Sequence, residues 1–277
     1  IPAFMKRVDV PARGGRWTTY FADIAARMAD HAASLDVAPQ PRPEVTLVEW
    51  DPDAELKTAA AALYAYTDLP DDQLLAVVRA MSLEQQTALI RDYVGDRTNR
   101  RHKPGRGMER ADYRFDILCD YGIFRDLQRH RMLTIDWQQL SPTHGFVTPE
   151  SIDDIGAVPL WEEAMQRTEA LYDTLAADLG GAVAQYAVPF AYKVRFMMQL
   201  NAREAFHLIE LRTAPGGHPD YRRVCQQMHQ LIRNEAGHHT IADAMSYVDY
   251  DSYDLARLEG ERRAAAKRAA LGIEDPD

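Results

Sequence analysis

The chain has 277 residues, of which 46% are hydrophobic, enough for one large domain or two small ones with a packed core. Its 32 Lys and Arg residues against 42 Asp and Glu residues give a net charge of −10, which disfavours non-specific binding to nucleic acid or anionic membranes. The sequence contains no apolar run of about 18 residues, and its start lacks the apolar centre of a secretory signal. We therefore expect a cytoplasmic protein that crosses no membrane.

The two cysteines, Cys119 and Cys225, are far apart and form no Cys-x-x-Cys motif. This spacing predicts free thiols rather than a disulfide framework or a structural zinc site. The chain does not begin with Met, which is compatible with a processed product or a segment of a longer protein.

The first predicted element is an amphipathic helix from Gly15 to Leu35, whose apolar residues recur every four positions. A proline-rich linker, APQPRPE, follows this helix, and a second helical pattern, ERRAAAKRAALG, lies near the end of the chain. We therefore expect three regions: a helical appendage with its linker over residues 1–43, a main domain over residues 44–250 and a helical tail over residues 251–277.

The main domain combines few predicted strands with many predicted helices. Alternating apolar residues predict strands in EVTLVEW and DYRFDILCD, whereas FAYKVRFMMQL fits either a strand or a helix. Asp51 or Asp53 is expected to cap an alanine-rich helix, and Ser82-x-x-Gln85 predicts a capping box. The other helical patterns cover residues 71–81, 121–131, 161–179, 201–212 and 219–248. The predicted class is α+β, with a small sheet flanked by dominant helices.

A basic triplet, Arg129-His130-Arg131, stands at the end of one predicted helix. Inside a helix these three side chains would point about 100° apart, so they can share a site only at a helix end or a strand start. The simplest interpretation is a solvated basic end that complements the helix dipole.

A second arginine block follows Pro189, in PFAYKVRFMMQLNAREAFHLIELR. Together with the stretch from Glu109 to Arg131, it resembles the flavin-dependent thymidylate synthases, the ThyX family. The resemblance covers roughly Glu44 to Val248, and two separated blocks with matching internal spacing make it specific. It implies a ThyX-like domain, FAD as cofactor, and reductive methylation of dUMP to dTMP with methylenetetrahydrofolate and NADPH.

The resemblance also implies roles for individual residues, although it assigns no catalytic side chain. The implied contacts to FAD are Arg129, His130, Arg131, Asn201, Arg203 and His207. The implied contacts to the nucleotide substrate are Arg195 and Arg212. Guanidinium groups suit both ligands because they bind phosphate bidentately and keep their charge. The implied assembly is a homo-oligomer, a tetramer or pseudo-tetramer, with sites shared between subunits.

The residues at the positions that bind the nucleotide substrate in the family are called here the substrate half, and they depart from the family pattern. The family's Ser, Asn, Glu, Ser and Arg after the triplet are here, in order, Thr134, Asp136, Trp137, Gln139 and Ser141. Arg110 replaces a histidine, and Asp126 replaces a glutamine. Loss of the arginine removes charge-assisted bonds to phosphate worth about 1.5–3 kcal/mol each. We therefore expect a degenerate dUMP site and weak or absent thymidylate synthase activity in the isolated chain.

Several interpretations of function stay open at this point. The chain could methylate dUMP through other contacts, act as a flavoenzyme on another substrate, or be a noncatalytic paralogue or tandem half that completes a partner's site. A different class, a di-iron helical enzyme, is suggested by Glu204-x-x-His207 and Glu235-x-x-His238, whose spacing places a carboxylate and an imidazole on one helix face. We expect no metal, and we expect His229, His238 and His239 on a solvated or interface surface.

Overall fold

The computed structural model describes residues 2–8, 10–253 and 256–270. The chain divides into two compact units, Ile1–Pro41 and Arg42–Asp277. The smaller unit contains α1 (Pro2–Val8), a π-helical turn (Pro11–Gly15) and α2 (Arg16–Ala33). Helix α2 occupies the segment predicted to be an amphipathic helix, whereas the pattern did not reveal α1.

The larger unit is built on a four-stranded antiparallel sheet with the order β1-β2-β4-β3. The strands are β1 (Val45–Trp50), β2 (Asp112–Asp120), β3 (Thr134–Trp137) and β4 (Lys193–Asn201). Strands β1 and β2 were predicted, and the segment that fitted either a strand or a helix forms β4. Strand β3 was missed because it is a short edge strand, largely exposed, without a clear alternation of apolar residues.

Helices make up most of the larger unit and flank the sheet. They are α3 (Ala54–Leu63), α4 (Asp71–Arg79), α5 (Leu83–Val94), α6 (Tyr121–Leu127), α7 (Glu150–Asp154), α8 (Val158–Leu179), α9 (Gly181–Ala184), α10 (Ala202–Arg212), α11 (Pro219–Asn234), α12 (His239–Asp243) and α13 (Ala256–Ala270). The predicted α+β class is thus confirmed. Gly272, the last residue of the helical pattern predicted near the end of the chain, lies outside the described residues. None of the described helices is long and apolar enough to cross a membrane.

One face of the sheet forms the main core. Alternate residues of β2 and β4 are buried, as expected for strands with one face against helices. Phe115 and Phe196 on this face are at most 1% exposed, and the helices α10 and α11 pack over it. Both cysteines are buried and unpaired, as predicted. A slip of one residue in the β2–β4 register would turn this apolar set away from the core.

Two helix starts were predicted. The capping box at Ser82 is confirmed, and the cap at Asp51 or Asp53 is only partly correct. Ser82 and Gln85 form the predicted reciprocal capping box, with N–H donors bound at 2.9 and 3.2 Å. Asp53 holds the N-cap position of α3, but its side chain accepts no capping bond. The Asp51 carboxylate instead accepts the Asp53 N–H at 3.0 Å and pairs with Lys57.

The prediction that His229 and His238 lie on a solvated or interface surface is wrong. The two residues are 8% and 3% exposed. The ring of His229 bonds to the Ala242 carbonyl at 2.9 Å, and the ring of His238 bonds to the Tyr113 hydroxyl at 2.9 Å. His229 lies four residues after the buried Cys225, on the apolar stripe of α11, so its helical position could have indicated its burial.

A buried ion pair links the loop after α5 to α10. The side chains of Arg97 and Glu210 are 3% and 1% exposed and meet through two hydrogen bonds of 2.6 Å. Phe206 and Tyr247 place their rings 5.1 and 5.2 Å from the guanidinium carbon. The charges of Arg97 and Glu210 therefore neutralise each other through direct hydrogen bonds, which is the condition under which a buried ion pair is tolerated.

We predict that Glu210→Ala lowers the free energy of unfolding by about 3–5 kcal/mol, because it leaves the Arg97 guanidinium buried without its counter-charge. The control is Arg167→Ala, which removes an exposed pair with Glu163 on α8 and should cost about 0–1 kcal/mol. Urea denaturation followed by circular dichroism measures both. Equal losses in the two variants would contradict the prediction.

Candidate functional site

The basic triplet lies in the connection between α6 and β3. Helix α6 ends at Leu127, and the His130 N–H donates to the Leu127 carbonyl at 3.1 Å, so the triplet follows the last helical turn. His130 is 7% exposed and points inward, whereas Arg129 and Arg131 are exposed. The triplet thus sits at a helix end, which is one of the two arrangements in which its side chains could serve one site.

The imidazole of His130 is held from both sides. Its Nδ1 lies 3.1 Å from Oε1 of Glu204, and its Nε2 lies 3.0 Å from Nε of Arg212. A guanidinium can only donate, so Nε2 must accept and the ring hydrogen must be on Nδ1, where it donates to Glu204. The two contacts therefore fix the tautomer as well as the orientation of the ring.

Arg212, at the end of α10, is also bound to α6. One of its terminal nitrogens donates to the Asp126 carbonyl at 2.5 Å, and the other lies 3.5 Å from the Asp126 carboxylate. The guanidinium carbon lies 5.2 Å from the ring centre of Tyr221. Arg212 therefore ties α10 to α6 and to the triplet, and its positive charge is already matched by Asp126.

His207, on α10, completes a compact polar cluster with Glu204 and His130. Its ring centre lies 5.4 Å from that of His130, and one ligand atom from each of His130, Glu204 and His207 falls within 4.8 Å of the others. Such a group could in principle hold a cation. However, both ring nitrogens of His130 are already engaged, and the Arg212 guanidinium beside them disfavours a second positive charge.

The first turn of α10 holds two more of the predicted flavin contacts. Asn201 is the N-cap, and its side-chain oxygen accepts the Glu204 N–H at 3.0 Å. Arg203 donates to the Pro104 carbonyl at 3.0 Å and lies 3.3 Å from Glu109. Arg203 and Arg212 therefore have different partners, as expected for two residues about half a turn out of phase on one helix.

Arg195 does not join this cluster. It lies on β4, on the sheet face opposite the main core, where its guanidinium pairs with Asp116 of β2 at 2.5 Å. Ser141 and Gln139, where the family pattern has Arg and Ser, follow β3, and Ser141 caps the short 3₁₀ turn Pro142–His144. The structure thus gathers His130, His207 and Arg212 and leaves Arg195 in a separate ion pair.

The di-iron arrangement is not assembled in the described residues. Glu235 is the C-cap of α11 and His238 is the N-cap of α12, so they do not share one helix face as their spacing suggested. Glu235 is exposed, His238 is buried against Tyr113, and neither joins the cluster of His130. The break between α11 and α12 at Gly237, whose φ is +73°, separates the pair.

Sequence reasoning missed two features of the site. Glu204 was considered only as a metal ligand, yet it orients His130. Its position three residues after the N-cap Asn201 gives a helix-start signal, but nothing local predicts a partner 74 residues earlier in the chain. The contact of Tyr221 with Arg212 likewise depends on the packing of α11 against α10 and α6.

We predict that the pKa of His207 lies below its ordinary value of about 6.5, because burial disfavours the imidazolium and the charges of Lys103 and Arg100 add to this effect against the opposing charge of Glu204. An NMR titration should give a lowered midpoint, with the resonance assigned by its loss in His207→Gln. Lys103→Ala removes a nearby positive charge and should raise the midpoint. A midpoint above the ordinary value would contradict this.

Comparison with known proteins places this chain in a family. Residues 46–236 match the family described as "Thymidylate synthase complementing protein". A UPF0159 protein of Chlamydia muridarum (strain MoPn / Nigg) is 36% identical over 222 residues, which cover 80% of this chain and 41% of the relative. One from Thermoplasma acidophilum is 34% identical over 230 residues, which cover 82% and 46%. The matched part of the chain therefore spans less than half the length of these relatives.

Two solved structures share the fold. The thymidylate synthase X (ThyX) from Helicobacter pylori, with FAD and dUMP, has 17% identity and a TM-score of 0.51, over 73% of this chain and 98% of that one. The UMP/dUMP methylase PolB from Streptomyces cacaoi, bound with 5-Br dUMP, has 18% identity and a TM-score of 0.54, over 72% and 94%. Since the family match and the curated relatives each cover most of the chain, the chain belongs to the thymidylate synthase complementing protein family, that of the flavin-dependent thymidylate synthases.

Proposed function

We propose that the chain binds FAD as a thymidylate synthase-like protein whose dUMP site has been altered. The observation that supports this is the contrast within the triplet. His130 is buried and fixed by Glu204 and Arg212, whereas the neighbouring arginines are exposed beside it. A fixed central residue restricts where the flanking guanidinium groups can lie, which favours recognition of an anion.

The donors of the site fit a dinucleotide cofactor. Within the described residues Arg131 has no hydrogen bond or ion pair, and Arg129 has only a 3.7 Å contact with Asp126. Two available guanidinium groups match the two charges of a diphosphate. The residues that would hold FAD are Arg129, His130, Arg131, Asn201, Arg203 and His207. Bound FAD would supply the redox chemistry, and the task of the chain is to bind and orient it.

The substrate half differs in its electrostatics. Arg195 pairs with Asp116, and Arg212 pairs with Asp126, so each arginine assigned to the nucleotide already has a carboxylate partner within the chain. A nucleotide phosphate would have to displace these contacts or approach two aspartates. The same arrangement also favours a second candidate, a flavoprotein that acts on another substrate or has no activity of its own.

We also propose that the chain works as a homo-oligomer, a tetramer or pseudo-tetramer. Helix α8 has 22 residues, of which only Met165 is buried, while Leu160, Leu171 and Leu179 are more than half exposed. Isolated helices gain most of their stability from packing an apolar face, so such a helix favours a neighbouring subunit. In relatives such as the Chlamydia muridarum protein, of which the match covers only 41%, a second domain could take that neighbour's place.

We predict that Arg131→Ala weakens FAD binding by about 1.5–3 kcal/mol, because it removes a charge-assisted contact to phosphate. Calorimetry or quenching of flavin fluorescence measures the affinity. The control is Arg91→Ala, which removes an exposed arginine from α5 and should leave the affinity unchanged. Failure of the unaltered chain to bind FAD would refute the proposed function.

We predict little or no thymidylate synthase activity in the unaltered chain. The assay contains NADPH, FAD, methylenetetrahydrofolate and dUMP, with tritium release from the uracil ring as readout. Asp126→Gln should tighten dUMP binding about tenfold, or about 1.4 kcal/mol, because it removes the carboxylate that pairs with Arg212. Adding Gln139→Ser and Ser141→Arg should then raise turnover.

The matched control for these variants is Asp153→Asn, which removes one exposed negative charge from α7. It should leave dUMP binding unchanged. Robust turnover by the unaltered chain would show that the dUMP site is intact in spite of its aspartates, and it would refute the altered half of the proposal.

A further inference from the structure

A nine-residue segment from Arg97 to Gly105, RTNRRHKPG, is called here the basic loop. It has a defined shape without regular secondary structure. Arg97 donates to the carbonyls of His102 at 2.7 Å and Arg100 at 3.3 Å. The Arg101 N–H donates to the Asn99 side chain at 2.8 Å. The backbone of the basic loop is therefore fixed by its own hydrogen bonds.

Two contacts hold the basic loop against α10. Arg97 forms the buried pair with Glu210, and the carbonyl of Pro104 accepts a hydrogen bond from Arg203. Both partners lie on the helix that also carries Glu204 and His207. The basic loop is thus attached at both ends to the element that forms the candidate site.

Three cationic side chains of the basic loop lack partners. Arg100 is half-buried, and Arg101 and Lys103 are exposed. Within the described residues none of these three side chains forms a hydrogen bond or an ion pair, although the whole chain has an excess of ten negative charges. Lys103 and Arg100 also lie within electrostatic range of His207. Cations left unpaired on a rigid support beside a polar cluster favour an anionic ligand.

We propose that Arg100 and Lys103 form a phosphate-binding subsite that extends the flavin site beyond His207. This inference rests on the proposed function, and it adds residues that lie outside both arginine blocks. The phosphate belongs to a dinucleotide, either the diphosphate of FAD or the phosphates of NADPH. The net negative charge of the chain disfavours a long polyanion such as nucleic acid, whereas a short diphosphate needs only a few local cations.

The first test uses inorganic pyrophosphate as the probe, with the full chain free of flavin. Arg100→Ala/Lys103→Ala should weaken pyrophosphate binding at least about tenfold in calorimetry, a change of about 1.4 kcal/mol. In the unaltered chain, pyrophosphate should also shift the NMR resonance of His207 at constant pH. The control Arg79→Ala/Arg91→Ala removes two charges from the exposed surfaces of α4 and α5 and should bind like the unaltered chain.

The result that overturns the subsite is pyrophosphate affinity that is absent from the unaltered chain or equal in the double variant. Thermal unfolding of both double variants checks that they are folded, and neither changes the backbone bonds of the basic loop. Because this probe contains no flavin, its outcome is independent of whether FAD binds.

The second test identifies the source of the phosphate. If the FAD dissociation constant rises in Arg100→Ala/Lys103→Ala, the subsite takes the FAD diphosphate. If FAD binding is unchanged but the KM for NADPH in anaerobic flavin reduction rises, the subsite takes NADPH. A smaller rise for NADH would assign the contact to the 2′-phosphate. If neither constant changes, the subsite serves no dinucleotide and the inference is wrong.

Discussion

The direct passage of β4 into α10 determines where the parts of the candidate site lie. Asn201 is the last residue of β4, paired with Asp112, and it is also the N-cap of α10. No loop intervenes, so the position of the helix follows from the register of the central strands. Four polar residues of α10 then reach the triplet, the 3₁₀ turn Arg106–Arg110 and the basic loop from one rigid element: Arg203, Glu204, Glu210 and Arg212. A site built on such an element holds its geometry better than one built on loops.

Whether a charged side chain has a partner in this protein depends on its burial. Buried ionic groups such as Arg97 and Glu210 are paired, as the cost of an uncompensated buried charge requires. Arg131 and Lys103 have no hydrogen bond or ion pair within the described residues, and both are exposed. Screening by water makes such groups inexpensive to leave unpaired, and it leaves them available to an anion. The buried charged groups are therefore paired within the chain, whereas exposed cations stay available to a ligand.

The proposed alteration of the substrate half rests on ion pairs within the chain. Asp116 and Asp126 each neutralise an arginine that the family resemblance assigns to the nucleotide. This differs from simple loss of a residue, because the arginines are present but are paired within the chain. If the chain acts alone on a nucleotide, these ion pairs must open, and orientation against the cofactor would suffer since reactive geometry tolerates little displacement.

The sequence alone determined the elements with strong periodicity, the α+β class and the family, because alternation in β2, helical spacing and motif spacing are local signals. It also predicted the residues of the triplet and of α10 as candidates. Only the tertiary structure decided that Glu204 orients His130, that His238 is buried, that Glu235 and His238 do not share a helix face, and that the basic loop is tied to α10 through Glu210. Those contacts join residues far apart in the chain, and a pairing across 74 or 113 positions leaves no periodic trace in the sequence because it depends on how the helices pack on the sheet.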